Sequence, residues 1–251
     1  MINLSNKHIL VIGGSRGIGA ETARIAASVH ANVSITYLSR SEAANSVVQS
    51  IEKNGGQGHA IQADVSSEEG VKKATREAIE KFGEIDGLVI SAGIFEPALI
   101  EDMDIDFWNR TMDINIRGTY LAVRAAVSSL KKNKNGSIVI IASTAGQRGS
   151  DLFSAYATSK GAQIMFMRSM ARELAPDNVR CNCVAPGWTE TEMSSDKIDQ
   201  FGREDIIAET PLGRIGRPED PANAAVFLLS DAAQFITGST ITVDGGSDMR
   251  G

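Results

Sequence analysis

The sequence predicts an α/β fold: a single doubly wound domain whose seven-stranded parallel sheet is flanked by helices on both faces. Three observations lead there. Strand-like runs recur at 8–12, 32–37, 58–62, 87–90, 137–142, 180–184 and 240–243. Between them lie stretches with apolar residues three and four apart, at 19–29, 43–53, 68–82, 107–130 and 155–174, the spacing of a helix with one buried face. Most of the short runs are continuously apolar rather than alternating, as strands must be when helices cover both faces of a parallel sheet. No linker, low-complexity tract or charge block divides the 251 residues, so a single domain, 1–251, is expected.

Composition agrees. Apolar residues make up 42% and the formal net charge is −6, which suits an ordinary globular core and argues against a nucleic-acid partner. The longest uninterrupted apolar run, 224–229, is far too short to span a bilayer, so no membrane partner is expected. Residues 1–7 lack the apolar core of a signal peptide, which predicts a cytoplasmic protein. Cys181 and Cys183 lie two apart on a strand, about 6.5 Å along the chain, and no histidine clusters with them; a disulfide and a metal site are both unlooked for.

After the first strand comes Gly13-Gly14-Ser15-Arg16-Gly17-Ile18-Gly19, opening a helix. Backbone N–H groups at a helix N-terminus attract a pyrophosphate, and glycines let turn and ligand approach without a Cβ. The spacing, Gly-x3-Gly-x-Gly, follows a strand and precedes a helix, which predicts dinucleotide binding in a Rossmann domain. An acid ending the second strand would accept the ribose hydroxyls of NAD, but this chain reads Ile35-Thr36-Tyr37-Leu38-Ser39-Arg40. Arg16, Ser39 and Arg40 stand where a 2′-phosphate would lie, so NADP(H) is favoured over NAD.

Tyr156 and Lys160 stand one helical turn apart on one face. A phenol titrates near 10, and a neighbouring ammonium favours its ionised form. Ser143 follows the apolar run 137–142 at the end of a strand where ligands of such sheets bind, and Asn115 interrupts a long helical stretch. Segment 189–210 carries seven acids and two bases, and reads equally as a substrate lid or as a solvated surface helix.

With these residues in place, the chain resembles the short-chain dehydrogenase/reductase superfamily along nearly its whole length. The resemblance is carried by Gly13/Gly17/Gly19, Asp64-Val65, Ser91-Ala92-Gly93, Asn115, Ser143, Tyr156-x3-Lys160, Pro186-Gly187 and Val243-Asp244-Gly245-Gly246, in order and spacing. It implies that Tyr156 gives a proton in carbonyl reduction and takes one in alcohol oxidation. Lys160 would bind the nicotinamide ribose and depress the tyrosine pKa, Ser143 would hold the substrate oxygen, and Asn115 would hold a water linking Lys160 to solvent. Gly13, Ser15, Arg16, Gly17, Ile18, Gly19, Asp64, Val65, Ser91, Ala92 and Gly93 would line the cofactor site, as would Pro186, Gly187, Thr189 and Thr191, together with Tyr156 and Lys160. A homotetramer joined through 107–130, 155–174 and the C-terminal strand is also implied.

The 3-oxoacyl-[acyl-carrier-protein] reductase-like branch is the nearest in look, with 3-oxoacyl thioesters or small ketones as substrates. Sugar or other alcohol dehydrogenases, or an NADP-sensing module without turnover, are the alternatives. Two departures from the family pattern stand out: Ile90-Ser91-Ala92-Gly93 replaces Asn-Asn-Ala-Gly, and Ile12 replaces the threonine before Gly13. A carrier-binding arginine is missing from Pro176-Asp177-Asn178, though Lys131, Lys132 and Lys134 offer a basic docking patch, and Phe95, Gln147, Phe153 and Trp188 are expected to border the pocket.

Overall fold

The computed structural model describes residues 2–249. Its strands are β1 (His8–Ile12), β2 (Asn32–Tyr37), β3 (Gln57–Gln62), β4 (Gly87–Ile90), β5 (Ser137–Ile141), β6 (Arg180–Pro186) and β7 (Thr240–Val243), paired in parallel in the order 3-2-1-4-5-6-7. The order reverses between β1 and β4, so the connections leaving these two strands diverge and open a crevice at their carboxyl ends.

Helices α1 (Gly17–Ser28), α2 (Ser41–Lys53), α3 (Glu68–Phe82), α4 (Ile105–Met112) and α5 (Gly118–Lys132) are followed by α6 (Ala145–Arg148) and α7 (Ser154–Leu174). The short α8 (Ser195–Phe201) and α9 (Arg203–Ala208) precede α10 (Glu219–Leu229). Local chemistry sets several ends. The Ser67 hydroxyl accepts from Gly70 N to start α3, with Glu68 and Glu69 at the positive end of its dipole, and Gly83 at φ 81° stops it. Asp104 caps α4 by accepting from Phe107 N at 2.7 Å.

Successive strand residues face opposite layers, which is why the runs are continuously apolar. Leu10, Ile12, Leu88, Ile90, Ile138 and Ile140 pack with α3, α5 and α7, while Ile9, Val11, Val33, Ile35, Val89 and Val139 pack with α1, α2 and α10. Each fully buried Leu, Ile or Val contributes roughly 1.5–3 kcal/mol.

Strand bounds follow the sequence pattern to within two residues, with β6 running on to Pro186. The long helical stretch is not uniform: a π turn at Asp113–Arg117 separates α4 from α5. Segment 189–210 forms α8 and α9 around a small core of Ile198, Ile206 and Ile215 with Trp188 and Phe201, so it is anchored by apolar contacts despite its charge. No described helix is long and apolar enough to cross a membrane.

His8 begins β1 almost fully buried. Its Nδ1 lies 2.9 Å from the Gly83 carbonyl, which can only accept, and its Nε2 lies 2.9 Å from Ser34 Oγ. The ring is therefore neutral, with Nδ1 carrying the proton. Burial pushes its pKa below the ordinary 6.5 against the pull of the Gly83 carbonyl and Asp86. The unfolded chain thus takes up this proton first. The stabilisation is complete above about pH 6.5 and is lost as pH falls toward the folded value. Thermal unfolding between about pH 7.5 and 5.5 is expected to show a steeper loss of Tm in the wild type than in His8→Gln; equal slopes would assign the acid sensitivity elsewhere.

Candidate active site

A cleft of about 770 Å³ opens over the carboxyl ends of the strands. Ser15, Arg16, Gly17 and Ile18 line one end of it with Gly13, whose φ of 81° and close approach to the Ala92 backbone exclude a side chain. Gly19 lies beneath the turn, where a Cβ would fall 2.3 Å from the Gly13 carbonyl oxygen. Thr36 of β2 holds the turn from below: its hydroxyl accepts from Gly13 N at 3.1 Å and its carbonyl from Gly14 N at 2.9 Å. A hydroxyl from the neighbouring strand therefore braces the turn that Ile12 leaves without a threonine.

Asp64 and Val65 line the cleft, and the Asp64 carboxylate accepts from Ser66 N and Ser66 Oγ. Ser91, Ala92 and Gly93 form its floor, with Ser91 N and Ala92 N both donating to the Ile12 carbonyl. Pro186, Gly187, Thr189 and Thr191 close the far side. Ser39 and Arg40 are exposed beyond the cleft wall. Arg40 Nη1 donates to a Glu192 carboxylate oxygen at 2.6 Å, and Arg16 Nη1 reaches the same oxygen at 3.4 Å. Two guanidinium groups thus converge on one anion brought by the segment before α8.

The reactive cluster forms where β5 meets α7. Ser143 follows β5, and α6 carries its loop against α7 through two glycines, Gly146 and Gly161. A Cβ on Gly146 would fall 2.5 Å from the Lys160 backbone carbon. This contact brings Ser143 to the Tyr156 phenol, to which it is hydrogen-bonded. Lys160 is 5% exposed, and its Nζ donates to the Ile141 carbonyl at 2.8 Å and to Gln163 Oε1 at 3.0 Å.

Lys160 does not depress the phenol in this arrangement. Burial pushes Tyr156 up to about 12, with the Ser143 hydrogen bond pulling the other way, and burial brings Lys160 down to about 8. The ammonium is turned toward Ile141 and Gln163 and stands 5.6 Å from the centre of the tyrosine ring, so desolvation outweighs its attraction.

Asn115 occupies the π turn, fully buried. Its side chain clamps the backbone after β4: Oδ1 accepts from Ile94 N at 2.8 Å, while Nδ2 donates to Ile94 O and Ser159 Oγ, each at 3.0 Å. These bonds brace the backbone just after the Ile90-Ser91-Ala92-Gly93 run. The Asn115 backbone carbonyl accepts from the Gln163 amide at 2.8 Å.

Beside the phenol stands an aromatic wall. Phe95 stacks on Phe153 at 4.3 Å, lies 4.6 Å from Tyr156 and meets Trp188 edge-on at 6.0 Å. Phe201 of α8 completes it, 5.8 Å from both Phe153 and Trp188. Gln147 is not part of this wall; it turns to Thr242 on β7 at 3.2 Å. Lys131, Lys132 and Lys134 precede β5, at the end of the sheet opposite the cleft, and Lys131 and Lys132 pair with Asp177 and Glu84, each at 2.7 Å. They form no docking patch at the pocket.

Sequence reasoning missed Thr36, Gln163, Glu192 and Phe201. Gln163 left one signal, a polar residue at Tyr156+7 on the same helical stripe as Lys160. Glu192 and Phe201 left none, because their roles depend on how the segment at 189–210 folds back.

The family described as Enoyl-(Acyl carrier protein) reductase matches residues 12–248. A 3-oxoacyl-[acyl-carrier-protein] reductase of a Synechocystis species is 38% identical over 99% of this chain and the whole of that protein. A solved short-chain glucose/ribitol dehydrogenase from Brucella melitensis superposes with a TM-score of 0.93 at 36% identity, covering 99% of both chains. A blue fluorescent protein from a metagenomic library, solved in complex with NADPH, gives a TM-score of 0.92 at 35% identity over 98% of this chain and 99% of that one.

The α6–α7 contact makes a graded expectation. Gly146→Ala drives a methyl into backbone that cannot move aside and is expected to cost about 1–3 kcal/mol. Gly161→Ala meets only the Gly146 carbonyl, at 3.1 Å, and gains helix propensity in mid-α7, so it should stay within about 1 kcal/mol of wild type. Urea unfolding of the two variants checks the order.

Proposed function

The chain belongs to the short-chain dehydrogenase/reductase superfamily, in its 3-oxoacyl-[acyl-carrier-protein] reductase-like branch, and from that membership we propose an NADP(H)-dependent oxidoreductase interconverting a carbonyl and a secondary alcohol. The observation that carries this reading is the cluster of Ser143, Tyr156 and Lys160 at the carboxyl end of β5, facing the cleft behind the glycine turn. When bound, the nicotinamide supplies or takes up the hydride.

The residues present suit such a cofactor. The turn from Gly13 to Gly19 offers backbone N–H groups at the start of α1 for a pyrophosphate, and Gly93 and Gly187 keep side chains off the cleft floor. The NADP preference is supported by the convergence of Arg16 and Arg40 on a single carboxylate, since an exposed pair of this kind is weak and readily exchanged for a phosphate. The absence of an acid at the end of β2 supports it too.

In the proposed reaction Ser143 fixes the substrate oxygen beside the Tyr156 hydroxyl, which delivers the proton to the forming alkoxide. A phenol held neutral to about 12 is ready as a donor. In the oxidative direction it must ionise, and Lys160 is the nearby cation that favours this once it engages the ribose hydroxyls. Asn115 contributes by locking the backbone at Ile94 beneath the site.

The aromatic wall of Phe95, Phe153, Trp188 and Phe201 supports a substrate with an apolar group next to its carbonyl, covered by α8 and α9 of segment 189–210 acting as lid. Arg148, Asp151, Asp205 and Glu209 also line the cleft and favour a second reading, a sugar alcohol or aldose. A spectrophotometric screen of aromatic ketones, 3-oxoacyl thioesters and sugars separates the two. Exposed Tyr120 on α5 and Met165 on α7 support the homotetramer implied by the family.

Tyr156→Phe is expected to lower turnover on the order of 10²–10⁴-fold while NADPH still quenches the intrinsic fluorescence with unchanged affinity; turnover close to wild type would remove Tyr156 as proton donor. Arg40→Ala is expected to weaken NADPH binding by about 10–100-fold and NADH binding by less than about twofold. Equal losses for both cofactors would refute the 2′-phosphate assignment.

A further inference from the structure

Gln163 lies three residues after Lys160 on α7 and has no solvent exposure. An amide in such a place is costly unless its polar atoms are paired. Here they are. Oε1 accepts from Lys160 Nζ at 3.0 Å, and Nε2 donates to the Asn115 carbonyl and to Thr119 Oγ1, each at 2.8 Å. The partner carbonyl lies in the π turn, where the widened ladder carries Gly118 N to Asp113 O and the Asn115 carbonyl takes side-chain donors from Gln163 and Thr119.

We propose that Gln163 is a positioning residue for Lys160: its amide bridges the ammonium to the Asn115 carbonyl and so fixes the cation beside the phenol. Of the three N–H donors on Nζ, one is spent on Ile141 O and one on Gln163, which leaves one for the cleft that Lys160 lines. An amide accepts and donates without giving up its own protons, so this bridge holds charge and does not conduct it.

The groups facing Nζ from the surrounding elements are few. Cys183 approaches from β6 and Tyr156 from the preceding turn of α7, while β5, the π turn and the loop after β4 offer only the Ile141 carbonyl, the Asn115 amide and the Gly93 backbone. Burial pushes the Cys183 thiol up to about 12, so it is uncharged near neutrality. No carboxylate is hydrogen-bonded or ion-paired to Lys160 among the described residues. The ammonium therefore depends on neutral acceptors, and Gln163 provides one of two.

The inference rests on the assignment of Lys160 to the reaction, but its test does not need turnover. The acetylation rate of Lys160 in the cofactor-free protein, followed against pH by peptide mass spectrometry, gives the titration midpoint of the ammonium, expected near 8 in the wild type. Gln163→Leu removes an acceptor and is expected to move the midpoint down by about one pH unit, whereas Gln163→Glu brings a carboxylate to Nζ and moves it up by about as much. Opposite shifts are not produced by loosened packing. Unmoved midpoints, or two shifts of the same sign, would overturn the proposal, and if Gln163→Leu fails to fold, Gln163→Met and Gln163→Glu carry the comparison. Wild-type protein inactive with every carbonyl and either cofactor would sink the functional reading while leaving these midpoints to decide the role of Gln163.

Discussion

A buried ammonium governs the architecture around the cleft. Removing the charge of Lys160 from water costs several kcal/mol even after relaxation, and among the described residues no carboxylate is bonded to it to offset the loss. The chain meets this by surrounding Nζ with neutral oxygen acceptors set in rigid elements: the last carbonyl of β5 and the amide of a core glutamine. The glutamine is held in turn by a carbonyl in a π turn. The close glycine contact between α6 and α7 belongs to the same arrangement, because it lets the Ser143 loop reach the helix that carries both tyrosine and lysine. The irregular backbone here is therefore part of the solvation of one charge.

The phenol is subject to the same pressure, which moves its pKa in the opposite direction. Its neutral form is favoured by burial, so the resting site holds a protonated tyrosine beside a lysine whose charge is itself weakened. Helix–strand packing thus favours one protonation state before any ligand arrives.

The glycine-turn end of the cleft is organised by shape more than by charge. Glycines are required at 13 and 19, where a Cβ would fall 2.7 and 2.3 Å from neighbouring backbone, and the turn hangs from Thr36 on β2. Charge enters at the rim, where Arg16 and Arg40 share Glu192 from the segment leading into α8. That acid ties the covering segment to both guanidinium groups, Arg16 lining the cleft and Arg40 just beyond its wall. The aromatic wall depends on this segment as well, since Phe201 comes from α8 and meets Phe153 and Trp188.

The sheet, its strand order class and its flanking helices were legible in the sequence because apolar periodicity is a local property, written within each element: β1, β2, β4 and β7 begin and end where their apolar runs do. The glycine turn, Ser143, Tyr156 and Lys160 were legible because their spacing places them on a strand end or a single helix face. What sequence could not give were the relations between distant segments. Gln147 turned away to β7, the lysines before β5 proved to lie at the wrong end of the sheet, and the π turn interrupted what reads as one helix. Hydrogen bonds from Gln163 to Asn115, from Thr36 to Gly13 and from Arg40 to Glu192 join residues 48, 23 and 152 positions apart. Such partners leave no periodic trace, since only the packed fold decides which polar groups lose water together and must satisfy one another.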